Sequence, residues 1–277
     1  MSRGHTMFIQ AQALPWMADA AAFGRPLANY RVLSQDAATG AATLLIRYPP
    51  GWHAPPGSMG ATEELFVLDG ELQIGDERYG HYAYACLPPH LPRGAAHTRG
   101  GAVVLTMFDA RPTWSTTSRD FDERKHVPRL DTTSRGLEGW IQNPHTRYLQ
   151  GTGVQTLRED PDTGEITILY SALPFRFMEK RWSHSHVQEM YVLAGEYAVN
   201  DVGVMRPGAY AWWEPHRYHG PYGSRTGFLM LIRSVGGPLA NLIEPEPIAV
   251  DYFAPYRPEL PESLRAHARE VPAAINY

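Results

Sequence analysis

A single cysteine, Cys86, in 277 residues excludes an internal disulfide and any cysteine-rich zinc site, so a bound metal would have to sit on nitrogen and oxygen ligands. Charge is also sparse: 19% of the residues are charged, and the formal net charge is -4. That mild acidity argues against nucleic acid as a partner, because phosphate binding needs a basic surface. No apolar run approaches membrane-spanning length, so no membrane partner is expected. The opening Met1-Ser2-Arg3-Gly4-His5-Thr6-Met7-Phe8 lacks the apolar core of a secretion signal, which predicts a cytoplasmic protein. Turn formers and aromatics are plentiful, with 24 prolines, 25 glycines and 15 tyrosines, a composition suited to many short strands joined by turns. The length allows one large or two ordinary domains with a sizeable core.

An internal repeat organises the chain. The segment from Val32 to Leu44 returns as Thr156 to Ile168, each reading as strand, Asp-led turn, Thr-Gly and strand. Glu64-Leu65-Phe66-Val67-Leu68-Asp69-Gly70-Glu71 returns as Glu189-Met190-Tyr191-Val192-Leu193-Ala194-Gly195-Glu196, and Pro89-His90 as Pro215-His216. The offset is 124 at Trp16 and Trp140 (140 minus 16) and 126 at Gly101 and Gly227 (227 minus 101). So little drift over so long a stretch predicts two copies of one antiparallel β fold. Residues 113-135, rich in Thr, Ser, Arg and Asp, read as the linker between copies, and Glu262 to Arg269 as a helix in a proline-punctuated tail.

Within the second copy, His184 and His186 are one residue apart on a segment that reads as extended, where side-chain direction repeats every second residue. Two imidazoles on one face can share a metal ion, and His219, after a second strand-and-loop unit, offers a third. The bland alternative is a pair of solvent-facing strand histidines. By the same parity Arg176, Lys180 and Trp182 share the histidine face and are candidate substrate contacts, with Tyr191 and Trp212 as further wall residues. Alternatively, a bulge turns the basic pair outward as solvated surface. His216 is matched by His90 in the other copy, which predicts a structural hydrogen-bonding role for both.

His-x-His ahead of a Glu-x-x-Val-Leu-x-Gly-Glu strand, followed by Pro-Gly-x-Tyr-x-Trp and Pro-x-x-x-His, resembles the cupin superfamily. The duplication makes the chain similar to a bicupin, with phrasing similar to cupins related to the ChrR anti-sigma factor. The resemblance implies an all-β fold of two tandem cupin jelly-roll barrels with a short C-terminal helical tail, divided as residues 1-125 and 126-277, each barrel enclosing a cavity. It places metal ligands on His184, His186, Glu189 and His219, around one divalent transition metal in the C-terminal cupin. Fe(II) is favoured, with Zn, Mn or Ni as alternatives. The usual pattern sets three or four residues between the second histidine and the glutamate, whereas only Val187 and Gln188 lie between His186 and Glu189. Gln188 or Glu189 could therefore face the metal, or neither.

In the first copy Met59, Ala61, Glu64 and Arg93 stand at the positions of His184, His186, Glu189 and His219, so no metal is expected there. The resemblance is specific for fold and not for reaction; the sharpest reading of the site is a metal-dependent enzyme, an oxygenase (dioxygenase) acting on a small aromatic or β-dicarbonyl molecule, with Glu189 as fourth ligand or general base. An isomerase, cyclase or lyase working through an enolate is the alternative reaction, and a sensor without turnover the alternative class. Exposed edge strands of a jelly roll make a homodimer plausible.

Overall fold

The computed structural model of the chain describes residues 3–117, 119–133, 139–142 and 151–271. Its regular secondary structure is nearly all strand, and the chain falls into two compact units, one built from Leu14–Gly136 and the other from Gly4–Ala13 with Leu137–Asn276. The strand Val127–Asp131, inside the stretch expected to be a linker, pairs with Ala83–Leu87 and so continues the first unit's sheet beyond residue 125. The strand Thr6–Gln10 pairs with Ala209–Trp213 in the second unit.

In the first unit a six-stranded sheet runs in the order Val127–Asp131, Ala83–Leu87, Glu63–Gly70, Ala102–Phe108, Ala42–Tyr48, Asn29–Gln35. In the second, Ala209–Trp213, Val187–Gly195, Phe228–Val235, Ile166–Ala172 and Thr152–Glu159 repeat the last five of those strands, flanked by Thr6–Gln10 and Trp140–Gln142. Each large sheet is accompanied by a four-stranded one, giving two tandem cupin jelly-roll barrels. The repeated turn is built the same way twice. Asp36 Oδ1 accepts from the Ala38 and Thr39 amides and Asp160 Oδ1 from those of Asp162 and Thr163, while Gly40 and Gly164 close the turns at φ 75° and 71°. Gly195 is also obligatory: a Cβ there would lie 2.0 Å from the Gly227 carbonyl oxygen.

Strand parity sets what faces each core. In the second unit Met190 and Val192 of one strand, Ala209, Ala211 and Trp213 of the next, and Met230 and Ile232 join one apolar cluster with Trp182, Met178 and Tyr222. The intervening residues Glu189, Tyr191, Tyr210 and Trp212 are buried on the opposite face of the sheet. The tail helix is shorter than expected, Glu262–Arg265, with Pro261 just ahead of it. Among the described residues no helix is long and apolar enough to cross a membrane.

Candidate metal centre

His184 ends the short strand Trp182–His184, and the chain then bends at Ser185 and His186 before the long strand Val187–Gly195 begins. The bend breaks the two-residue alternation. Trp182, not His186, therefore shares the inward face with His184, and on the next strand Gln188, not Glu189, points the same way. Gln188 pairs with Trp213, which lies in the core cluster, so the two side chains occupy one face.

His219 is brought to His184 by backbone pairing. The Trp182 amide donates to the His219 carbonyl at 3.0 Å and the His219 amide returns a bond to the Trp182 carbonyl at 2.9 Å. The His216 amide donates to the His184 carbonyl at 2.9 Å. The ring centroids of His184 and His219 are then 5.2 Å apart, Trp182 meets His219 edge-on at 5.1 Å, and Trp213 covers it at 3.8 Å. His219 Nδ1 lies 3.1 Å from the Arg217 carbonyl oxygen. A carbonyl can only accept, so Nδ1 carries the proton and Nε2 presents its lone pair inward.

His184 and His219 are 4% and 2% exposed. Burial pushes the His184 imidazole down to about 4, and neighbouring Gln188 and Asn241 oppose that only in part. Burial, with His184 alongside, holds His219 well below the ordinary histidine range. Both rings are neutral at pH 7, the form that ligates metal. Among the described residues both ring nitrogens of His184, Nε2 of His219 and Oε1 of Gln188 are buried without a hydrogen bond of good geometry, and Gln188, Asn241 and the Ala240 backbone are the polar groups beside His184. Buried polar atoms are almost always paired, and two imidazoles and an amide oxygen left open together fit a divalent transition metal.

Two expected ligands stand elsewhere. His186 lies in the bend, where its Nδ1 is 2.9 Å from the Pro238 carbonyl oxygen and its ring covers Gly237 so closely that a Cβ there would sit 2.6 Å from Nε2. Glu189 is on the far face of the strand, accepting from Tyr210 Oη at 2.7 Å and from Arg233 Nη1 at 3.0 Å. Glu64 meets Tyr84 Oη at 2.6 Å in the same way in the first unit, which marks this as a framework contact of the repeat. Among the described residues no three His, Cys, Asp or Glu side chains are grouped to hold a metal. Counting from His184 instead of His186 puts three residues before Gln188, the spacing that the cupin resemblance calls for.

Of the expected substrate contacts, Trp182 is at the histidines. Tyr191, two residues on from Glu189 along the same strand, and Trp212, paired directly with Glu189, share its face and are turned away. Arg176 is half-buried and close enough to the bonded pair Tyr170 and Tyr222 (3.0 Å between hydroxyls) to act on their charge. Lys180 is half-buried in the run ahead of Trp182. Sequence reasoning passed over Trp213 and left Gln188 as an alternative to Glu189, although their alternation with Trp212 and Glu189 was readable once one inward residue was known. Replacing Glu189 with glutamine should cost about 2 kcal/mol through the weakened contact with Arg233. Metal content should be unchanged, and urea unfolding with elemental analysis would show both; a loss of metal would return Glu189 to the ligand set.

The first unit shows what occupies the same place without histidines. Gly57 and Arg93 exchange backbone hydrogen bonds (3.0 and 2.7 Å) as Trp182 and His219 do, and the His90 amide donates to the Met59 carbonyl as His216 does to His184. His90 and His216 both adopt left-handed backbone, φ 67° and 61°, a further sign of a shared structural part. Met59 and Arg93 thus stand where His184 and His219 do, and Glu63 where Gln188 does.

No protein of curated function matches the chain. Among solved structures it is similar to a Nostoc punctiforme protein provisionally assigned as a dioxygenase, at 20% identity, covering 85% of this chain and 84% of that one with a TM-score of 0.75. It is also similar to a variant of Bacillus subtilis oxalate decarboxylase, at 11% identity, covering 87% and 80% with a TM-score of 0.58. At these identities the likeness establishes the cupin fold. Residues 9–240, and with them both barrels and the paired histidines, match the family described as "Domain of unknown function (DUF4437)", and the chain belongs to that family.

Proposed function

We propose that the chain is a metal-dependent cupin enzyme whose C-terminal barrel holds one divalent transition metal, Fe(II) by preference, on His184, His219 and Gln188. The reaction proposed is oxygenation of a small aromatic or β-dicarbonyl compound. The observation that carries this reading is the meeting of buried His184 with His219 (ring centroids 5.2 Å) on one side and with Gln188 on the other, inside a barrel rich in aromatic side chains. The fold likeness to the Nostoc protein is in keeping with it.

When bound, such an ion supplies Lewis acidity and, for iron, electron exchange with dioxygen. The protein's own contribution is legible in its side chains. His184, His219 and Gln188 are neutral donors, so the full positive charge of the ion remains to be matched, which favours a substrate that arrives as an anion, an enolate or phenolate. Trp182 and Trp213 wall off His219 and keep water out, strengthening that attraction. Arg217, through its carbonyl, fixes the His219 tautomer. The isomerase, cyclase or lyase reading needed Glu189 as a proton shuttle; its engagement with Tyr210 and Arg233 on the other face leaves that role unfilled, so oxygenation is preferred.

Untagged protein reconstituted anaerobically with Fe(II) should bind close to one ion per chain, and His184→Ala and His219→Ala should each reduce that at least tenfold. Oxygen uptake should then appear with β-diketones or phenols in the wild type only. Equal, negligible metal in wild type and variants would dispose of the site. Stoichiometric metal without oxygen uptake across both substrate classes would dispose of the oxygenase.

A further inference from the structure

The first barrel carries charge where the second carries neutral ligands. Glu63, 1% exposed, accepts from Arg25 Nη2 at 2.7 and 2.6 Å and also pairs with Arg93 Nη1. Arg25 Nε donates to Tyr48 Oη at 3.1 Å. Arg25 and Arg93 are each 6% exposed, so two guanidinium groups face one carboxylate out of water. Burial favours the neutral acid at Glu63, but the two arginines outweigh it and hold the carboxyl below its ordinary range. The triad therefore carries a net positive charge.

Arg93 uses only Nη1 on Glu63; Nε and Nη2 are buried with no hydrogen-bond partner among the described residues. Those two nitrogens form one side of the planar fork, the edge that meets a carboxylate with two parallel hydrogen bonds. Leaving that edge bare in a barrel with surplus positive charge is costly unless something anionic meets it. The apolar lining of this barrel is built from smaller side chains. Of the 21 buried residues in this core cluster 8 are alanine, against 2 of 19 in the second barrel, where tryptophans and methionines fill the interior.

We propose that the N-terminal barrel is an anion site, which takes the carboxylate of a small organic acid on the Nε and Nη2 edge of Arg93. The duplicated scaffold then holds two binding positions of opposite sign: Arg93 receives an anion where His219, its counterpart, offers a lone pair. This inference is independent of the proposed metal chemistry, because none of its residues belongs to the second unit.

Calorimetric titration of the full chain with sodium acetate and sodium malonate, in a zwitterionic buffer low in chloride, tests it. One saturable Arg93-dependent site is expected. Arg93→Lys, which keeps the charge near Glu63 but removes the fork, should weaken binding at least tenfold, whereas His219→Ala should retain it. No saturable binding in the wild type, or equal binding in Arg93→Lys, would overturn the proposal. Binding lost in His219→Ala but kept in Arg93→Lys would do the same, by assigning the anion to the second barrel. Should Arg93→Lys fail to fold, the Nε–H resonance of Arg93 in 15N-labelled wild type decides: it must move on adding acetate, and an unmoved resonance overturns the site.

Discussion

Replacing Glu63 with alanine is expected to lower the stability of the first barrel by about 3–5 kcal/mol, the range for removing one partner of a buried ion pair. Arg25 and Arg93 would be left 6% exposed, facing each other with no carboxylate between them. Neither can shed its proton at accessible pH, since an arginine stays charged where a lysine would neutralise. Relief would have to come from opening the barrel to water. Trp52, whose ring lies 4.5 Å from that of Tyr48 beside Arg25, reports on this region, so its fluorescence through a urea titration should show the midpoint fall. The two units need not unfold together, which makes a local probe preferable to a global one. A loss below about 1 kcal/mol would mean that the triad is already satisfied by other groups.

The second large effect is a dependence on pH of the metal-free protein. His184 titrates near 4 when folded against 6.5 for a free histidine, and His219 is displaced in the same direction. Below pH 6.5 the unfolded chain therefore binds protons that the folded one refuses. Stability is fully present above that value and is lost as pH falls toward 4. For His184 alone the loss approaches about 3 kcal/mol, at 1.36 kcal/mol per unit of displacement. His5, lowered mainly by burial and next by Arg217, adds in the same sense. Between pH 6.5 and 5 ordinary carboxylates change little, so the slope there belongs to histidines. Unfolding free energies across that interval should rise with pH in wild type and flatten when His184 and His219 are both replaced by alanine. An unchanged slope in the double variant would show that these imidazoles are solvated in the folded protein.

Much of the architecture could be read from residue order because its causes are local or repeated. The Asp36 and Asp160 turns, the glycines at positions 70 and 195, and the matched Glu-Leu/Met-aromatic-Val-Leu runs each dictate their own backbone, and their recurrence at a near-constant offset tells that one barrel was copied. The loss of histidines at Met59 and Arg93 was equally visible. Histidine spacing singled out His184 and His186, with His219 as a third, because a chemical pattern can be read without knowing where the chain turns. Which neighbours join them does. One bend at Ser185 and His186 changes the face of every residue on both sides, turning His186 to Pro238 and Glu189 to Arg233 while bringing Gln188 inward. The placement of Thr6–Gln10 beside Ala209–Trp213, some two hundred residues away, left no local trace either. Composition, repeat and the choice of His184, His186 and His219 as candidates came from the sequence itself; which two of the three meet, the inward turn of Gln188, the role of Glu189 and the charged triad around Glu63 were decided by tertiary structure, because side-chain parity and long-range pairing exist only once the strands have found their partners.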